Sequence, residues 1–283
     1  MIIDFHTHTF PEKIAGSTLE KLSAASHTRP FTDGTSQGLA ASMAEAGVDL
    51  SVVLPVATAP RQVEHINDSA AAISARAEET GLLSFGCMHP DFPGWREELS
   101  RIRSLGLKGI KLHPVYQGVD FDDPRYLRIL DRAGELGLIA VTHAGLDVGF
   151  PGMVKCSPEM VRRAVTQVGP VKLVLAHMGG WRCWDQVLEL LSGLPVYLDT
   201  SFSTGKMTPA DNFYSEEELS LLDEAAFLKL VRTFRAHRVL FGSDSPWSSQ
   251  KDSIAWLRRC GLTEEELSAI LGGSGESLLG SGE

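Results

Sequence analysis

Short apolar runs rich in β-branched residues alternate along this chain with longer segments in which apolar residues recur every three or four positions. The runs are Met1–Thr9, Val48–Pro55, Leu82–His89, Leu107–His113, Leu138–His143, Val171–His177, Val196–Phe202 and Val239–Ser243. Apolar on both alternating faces, they read as strands buried on both sides, as in a parallel sheet. The intervening segments read as helices: Ile14–Ser23, Ser36–Ala46, Arg61–Thr80, Trp95–Leu105, Pro124–Leu136, one opening at Ser157-Pro158, one closed by Gly193, and Asp223–Ala236. Gly47, Gly81, Gly106 and Gly137 follow four of them, where a left-handed residue ends a helix. Strands alternating with helices in this way predict an α/β fold, a (β/α)8 TIM barrel forming a single domain over residues 1–283. No G-x-G-x-x-G follows the first strand, so a dinucleotide-binding sheet lacks its phosphate cradle. Pro11 to Thr35 reads as a loop with a short helix, Thr204–Ser215 as a polar insertion, and Gly272–Glu283 as a final turn with a frayed end.

Polar residues stand at the carboxyl ends of these runs. They are His6 and His8 at the first, His89 at the third, Lys111 and His113 at the fourth, His143 at the fifth, His177 at the sixth, and Asp244 at the eighth. In a barrel those ends form one ring, so residues far apart in sequence become neighbours at the catalytic mouth. His6 and His8, two apart, face the same way, and a pair of neutral imidazoles offers half of a tetrahedral site for zinc or its neighbours. His143 follows Val141-Thr142, where a buried imidazole needs a bond or an ion. Asp244 is either the N-cap of a following helix or the carboxylate that completes a histidine site, and the second reading is the more economical. His177 precedes Gly179-Gly180, which lets a ligand approach the backbone closely. Lys111 and His113 share a face: either Lys111 is a carboxylated lysine bridging two metals, or both donate to an anionic substrate, which needs no modification. His27, His65, His89 and His237 read as structural or exposed.

The net charge of −10, with Lys and Arg scattered, disfavours nucleic acid as a partner. No apolar run reaches the ~18 residues of a membrane span, and the chain opens on a strand with no basic, apolar leader. A cytoplasmic protein acting on a small molecule, with no membrane partner, is the expectation. Cys87, Cys156, Cys183 and Cys260 form no C-x-x-C pair and read as reduced, packed thiols. Oligomeric state is left open, a homodimer included.

Taken together, Asp4-Phe5-His6-Thr7-His8, His143 before Ala144-Gly145, His177-Met178-Gly179-Gly180 and Gly242-Ser243-Asp244-Ser245-Pro246 resemble the amidohydrolase superfamily. Within it the likeness is to the branch of aminocarboxymuconate-semialdehyde decarboxylase and metal-dependent hydrolases, and it runs from the first strand to the eighth. The resemblance implies a distorted barrel holding one divalent ion, most often zinc. His6, His8, His143 and Asp244 match the ligand positions, and His177 matches the catalytic histidine. Gly109-Ile110-Lys111-Leu112-His113-Pro114 resembles the hydrolase-like members more than the decarboxylases. Where the family often carries an Asn-Ala pair near its end, this chain has Ser274-Gly275-Glu276-Ser277.

Three imidazoles and a carboxylate leave zinc a position for water, whose pKa the ion lowers to about 7. The expected activity is metal-dependent hydrolysis of a small anionic amide, ester or lactone. Asp244 would move the proton, His177 would polarise the carbonyl, and Lys111 and His113 would hold the anion. Non-oxidative decarboxylation of an unsaturated or aromatic acid is the alternative, because the same groups could protonate a carbon. A metal-binding scaffold without activity is disfavoured by the polar ring beyond the ligands. Trp181, Trp184, Phe202, Phe213, Tyr214 and Trp247 offer an aromatic wall near the mouth.

Overall fold

The computed structural model describes residues 1–280. Its strands are β1 (Ile3–Thr7), β2 (Leu50–Val53), β3 (Leu82–Ser84), β4 (Gly86–Cys87), β5 (Gly109–Leu112), β6 (Ile139–Thr142), β7 (Lys172–Leu175), β8 (Val196–Asp199) and β9 (Val239–Leu240), each inside a predicted apolar run. All neighbours pair in parallel, in the orders β1-β2-β3 and β4-β5-β6-β7-β8-β9. The third predicted strand is interrupted at Phe85, whose N–H still donates to the Val53 carbonyl at 2.9 Å, so β3 and β4 act as one stave. The two arcs close where Phe5 N–H meets Phe241 O at 2.7 Å and Asp244 N–H meets His6 O at 2.8 Å. The result is the TIM barrel expected from the alternation.

Inside the barrel, Phe5, Val52, Phe85, Val141, Val174 and Leu240 form one apolar cluster. On the outer face, Ile110, Leu112, Ala140, Leu173, Leu175 and Leu198 pack against the helical layer in a second. Burial on both faces is what the continuous apolar runs required. The β1–β2 register jumps from Asp4↔Ser51 to Thr7↔Val53, leaving one extra residue in β1. A bulge of this kind re-aims side chains. It lets Phe5 fill the barrel while the next residue, His6, also turns toward the polar ring. Gly242 completes the arrangement, since a Cβ there would lie 2.8 Å from the His6 Cβ.

Three helical segments differ from expectation. The helix predicted over Arg61–Thr80 is a 3-10 turn at Pro60–Gln62, a helix α3 at Val63–Ser74 and a short turn at Ala77–Thr80. The loop after β1 contains a full helix α1, Glu12–Ser26, preceding α2 at Ser36–Ala46. The predicted frayed tail is instead a π turn, Ala269–Gly273, running into a helix, Ser274–Gly280. Leu278 of that helix is 2% exposed and joins the barrel's inner cluster, and Gly272 approaches the Met1 carbonyl so closely that no Cβ would fit. The small residues replacing the family's Asn-Ala pair therefore permit close docking, with Gly275 against Phe5 and Ile3. Positions 281–283 lie outside the described residues. Among the described residues no helix is long and apolar enough to cross a membrane.

Candidate active site

Three of the expected ligands meet at one point. His6 Nε2 and His8 Nε2 are 3.2 Å apart, and Asp244 Oδ1 lies 3.4 Å from the first and 3.2 Å from the second. Around zinc, with bonds of about 2.0–2.1 Å, the edge of a tetrahedron is about 3.3–3.4 Å, so these spacings suit such an ion. The far nitrogens agree. His8 Nδ1 lies 2.8 Å from the Leu54 carbonyl, which can only accept, and His6 Nδ1 lies 2.8 Å from Asp199 Oδ2. Both Nδ1 atoms are thereby donors, and both Nε2 lone pairs face each other and the Asp244 carboxylate with no proton between them. Three acceptors in mutual contact are a cradle for a cation.

His143 and His177 extend this pattern. His143 Nε2 is 3.0 Å from the Leu146 carbonyl and His177 Nδ1 is 3.0 Å from the Ser201 carbonyl, so each of these nitrogens donates. That leaves His143 Nδ1 and His177 Nε2 facing one another at 3.1 Å as two lone pairs. His143 thus presents its Nδ1, not its Nε2, as a lone pair beside His177, and the structure does not draw it into the trio of His6, His8 and Asp244, which groups without it. The same reasoning sets aside another trio, His113, His143 and Asp147, whose ligand atoms also cluster. There the Nε2 of His143 is a donor, and His113 Nδ1 accepts from the Tyr116 N–H, which puts the His113 proton on Nε2 as well. With both Nε2 atoms protonated, that trio offers no pair of imidazole lone pairs to an ion.

Burial keeps the imidazoles neutral. It is the first cause of the lowered pKa of His6, with Lys111 next, of His143, brought to about 3, of His177, brought to about 4, and of His113. Burial also lowers Lys111 to about 8, while Asp199, Asp244 and Asp147 oppose the shift. Its Nζ donates to His6 Nε2 at 3.1 Å. Burial raises the Asp244 carboxyl, but its contacts with His8 and the neighbouring His6 and His177 more than reverse it and hold it below the usual range. Asp147 is raised to about 6, again by burial. His177, Met178 and Asp244 have φ of 60°, 53° and 68°, left-handed values that bulky residues adopt at a cost of the order of 1 kcal/mol or more and that cluster at functional sites.

The sequence reading missed the residues that hold these groups. Asp199, fully buried at the end of β8, accepts from His6 Nδ1, from the N–H groups of His177 and Ser201, and from the Ser201 hydroxyl. Asp4 accepts from Ser243 N–H at 2.9 Å, from its hydroxyl at 2.5 Å and from Gln250 Nε2 at 2.7 Å, fixing the turn that carries Asp244. Asp147 Oδ2 sits 3.6 Å from His113 Nε2 and 3.7 Å from His143 Nε2. A carboxylate inside an apolar run was the available signal for Asp4 and Asp199. His89 is structural as expected, its Nδ1 accepting from Asp91 N–H at 3.1 Å. His65 lines the mouth of a cavity of about 970 Å3 that opens on the ring. Trp181, Phe202 and Trp247 line that cavity too, while Phe213 stacks on His27 at 3.9 Å.

A family profile described as amidohydrolase matches residues 3–280. The chain belongs to the amidohydrolase family. Members of this family are metal-dependent enzymes, and the barrel seen here groups His6, His8 and Asp244 closely enough to be able to hold an ion. No curated protein matches the chain. Among solved structures, an uncharacterised TIM-barrel protein from Bordetella bronchiseptica has a TM-score of 0.75 at 18% identity, with 98% of each chain covered. A 5-carboxyvanillate decarboxylase from Sphingomonas paucimobilis has a TM-score of 0.65 at 17% identity, again with 98% of each chain covered. A candidate 2-pyrone-4,6-dicarboxylic acid hydrolase from Pseudomonas putida has a TM-score of 0.67 at 19% identity, covering 100% of this amidohydrolase and 98% of the other chain. At these identities the likeness establishes the fold.

Proposed function

We propose that this amidohydrolase hydrolyses an ester, amide or lactone bearing an anionic group, with one zinc ion held by His6, His8, His143 Nδ1 and Asp244. The observation that carries the reading is the trio of unprotonated donors at tetrahedral spacing beneath an open cavity. A divalent ion bound there supplies Lewis acidity, which lowers the pKa of water to about 7 and polarises a carbonyl. The Asp244 carboxylate, facing the cavity, accepts the proton released as the carbonyl is attacked. His177 was expected to donate to the carbonyl oxygen, but its Nδ1–H is committed to Ser201 O and its Nε2 is bare. It enters the reaction as a proton acceptor: it takes over the proton that Asp244 accepts during attack and, once charged, hands it to the leaving group. Lys111 Nζ and the Nε2–H of His113 bind the anion, and burial of both keeps competing water away.

Decarboxylation of an aromatic or unsaturated acid is the second reading. It is supported by the decarboxylases among the structural neighbours and by His177, which as imidazolium could protonate a carbon. The test is a screen of zinc-loaded protein on aryl esters, lactones, amides and hydroxybenzoates, scored for acid release and for CO2. Acid release without CO2 is the expected outcome, and CO2 release alone overturns hydrolysis. Stoichiometric zinc in a His6→Ala/His8→Ala variant would refute the ligand set.

A further inference from the structure

The cavity has two chemically different parts. The polar part is the ring just described. The other runs between α1 and α3 and is walled by one stripe of each helix: Ile14, Thr18, Leu22 and Ala25 on α1, and Ile66, Ser69, Ala70 and Ile73 on α3. Spacings of three and four place each set on a single helical face. Helix α1 buries its other stripe, Ala15 and Leu19, against the body of the protein. Its second stripe is therefore left facing the cavity, with Ile14 49% exposed, and Phe150, which also lines the cavity, is 40% exposed. Among the described residues the ionisable side chains lining this arm are Arg61, in the 3-10 turn before α3, and His65, in the first turn of α3. At about 970 Å3 the whole cavity stands at the upper end of the roughly 300–1,000 Å3 of small-molecule sites, so a one-ring acid at the ring would leave the arm unfilled.

We propose that the arm between α1 and α3 is a subsite for an extended apolar group, making the substrate amphiphilic, with its reacting polar head at the histidine ring and an alkyl or aryl tail of about eight carbons or more along the arm. What identifies the occupant is continuity: the apolar walls open directly onto the catalytic donors, so whatever covers them is joined to the group that reacts. The helix stripes that form the walls carry no charge and gain from each buried methylene. The inference rests on the proposed active site only for where the head sits.

The test is binding, read apart from turnover. Butanoate, hexanoate, octanoate and decanoate are titrated calorimetrically into zinc-loaded protein. Affinity should rise about fourfold per added methylene, the equivalent of ~0.8 kcal/mol, with a heat-capacity change that grows more negative along the series. Thr18→Trp and Ser69→Trp, one from each wall and neither at a fully buried position, should each flatten the increment beyond hexanoate. Affinity that stops rising at butanoate in the natural protein, or a slope that survives in both tryptophan variants, overturns the subsite. A normal slope in a protein that hydrolyses no ester or lactone confirms the subsite while removing the hydrolase reading, which keeps the two failures apart.

Discussion

Single side chains in this site are set by what holds their far side. Asp199 accepts from His6 Nδ1 at 2.8 Å and so fixes the tautomer that frees Nε2. An Asp199→Asn variant can present an N–H to that nitrogen and reverse the tautomer, so zinc affinity should fall about 10- to 100-fold, measurable by competition with a chelator. Unchanged affinity would mean that Asp199 merely packs. His177 is held by the Ser201 carbonyl with Nε2 beside His143 Nδ1. His177→Asn should retain near-normal zinc while kcat falls by about 10²–10⁴, the usual worth of a positioned acid–base group. Loss of zinc together with activity would make His177 a ligand instead.

At the scale of elements, the strand ends were legible in the sequence because burial on both faces leaves little room for a polar residue except where a strand stops. His6, His8, Lys111, His113, His143, His177 and Asp244 stood out on that ground. The bulge in β1 was not legible, because a bulge depends on the partner strand: only the register against Ser51 and Val53 reveals the extra residue. The terminal helix was hidden for a related reason. Ser274-Gly275-Glu276-Ser277 has poor helix propensity, and docking against Ile3 and Phe5 overrides it. Leu278 reaches the barrel's inner cluster from that helix. Leu278→Ala should accordingly cost about 2–5 kcal/mol in denaturant unfolding, the range for a buried leucine. A cost below about 0.5 kcal/mol, typical of a surface change, would show that the helix does not close the barrel.

Over the whole molecule, five histidines (His6, His89, His113, His143 and His177) are held below the ordinary value, burial being the first cause for each. The unfolded chain takes up protons near pH 6.5 while the folded one resists, so this stability is complete above pH 6.5 and is lost as pH falls below it. Asp4 and Asp147, raised to about 6, act in the opposite sense and regain stability between pH 6 and their unfolded value of 3.8. Five groups against two predict that the melting temperature of chelator-treated protein falls from pH 7 to pH 5. The fall should be shallower in His89→Asn, whose side chain lies away from the ring. A flat profile over that interval would contradict the neutral, buried state of these imidazoles.

By itself the sequence determined the alternation of strands and helices, and with it the barrel, the family and the ring of polar residues at the strand ends. These follow from local periodicity and from burial on two faces, both of which are written along the chain. The tertiary structure decided which nitrogen of each imidazole faces the site, because that depends on carbonyls and carboxylates contributed from elsewhere: Leu54 for His8, Asp199 for His6, Ser201 for His177 and Leu146 for His143. It also decided the supporting roles of Asp4 and Asp199 and the apolar arm between α1 and α3. Each of these arises where segments distant in sequence meet, and periodicity along one segment carries no information about the partner it will face.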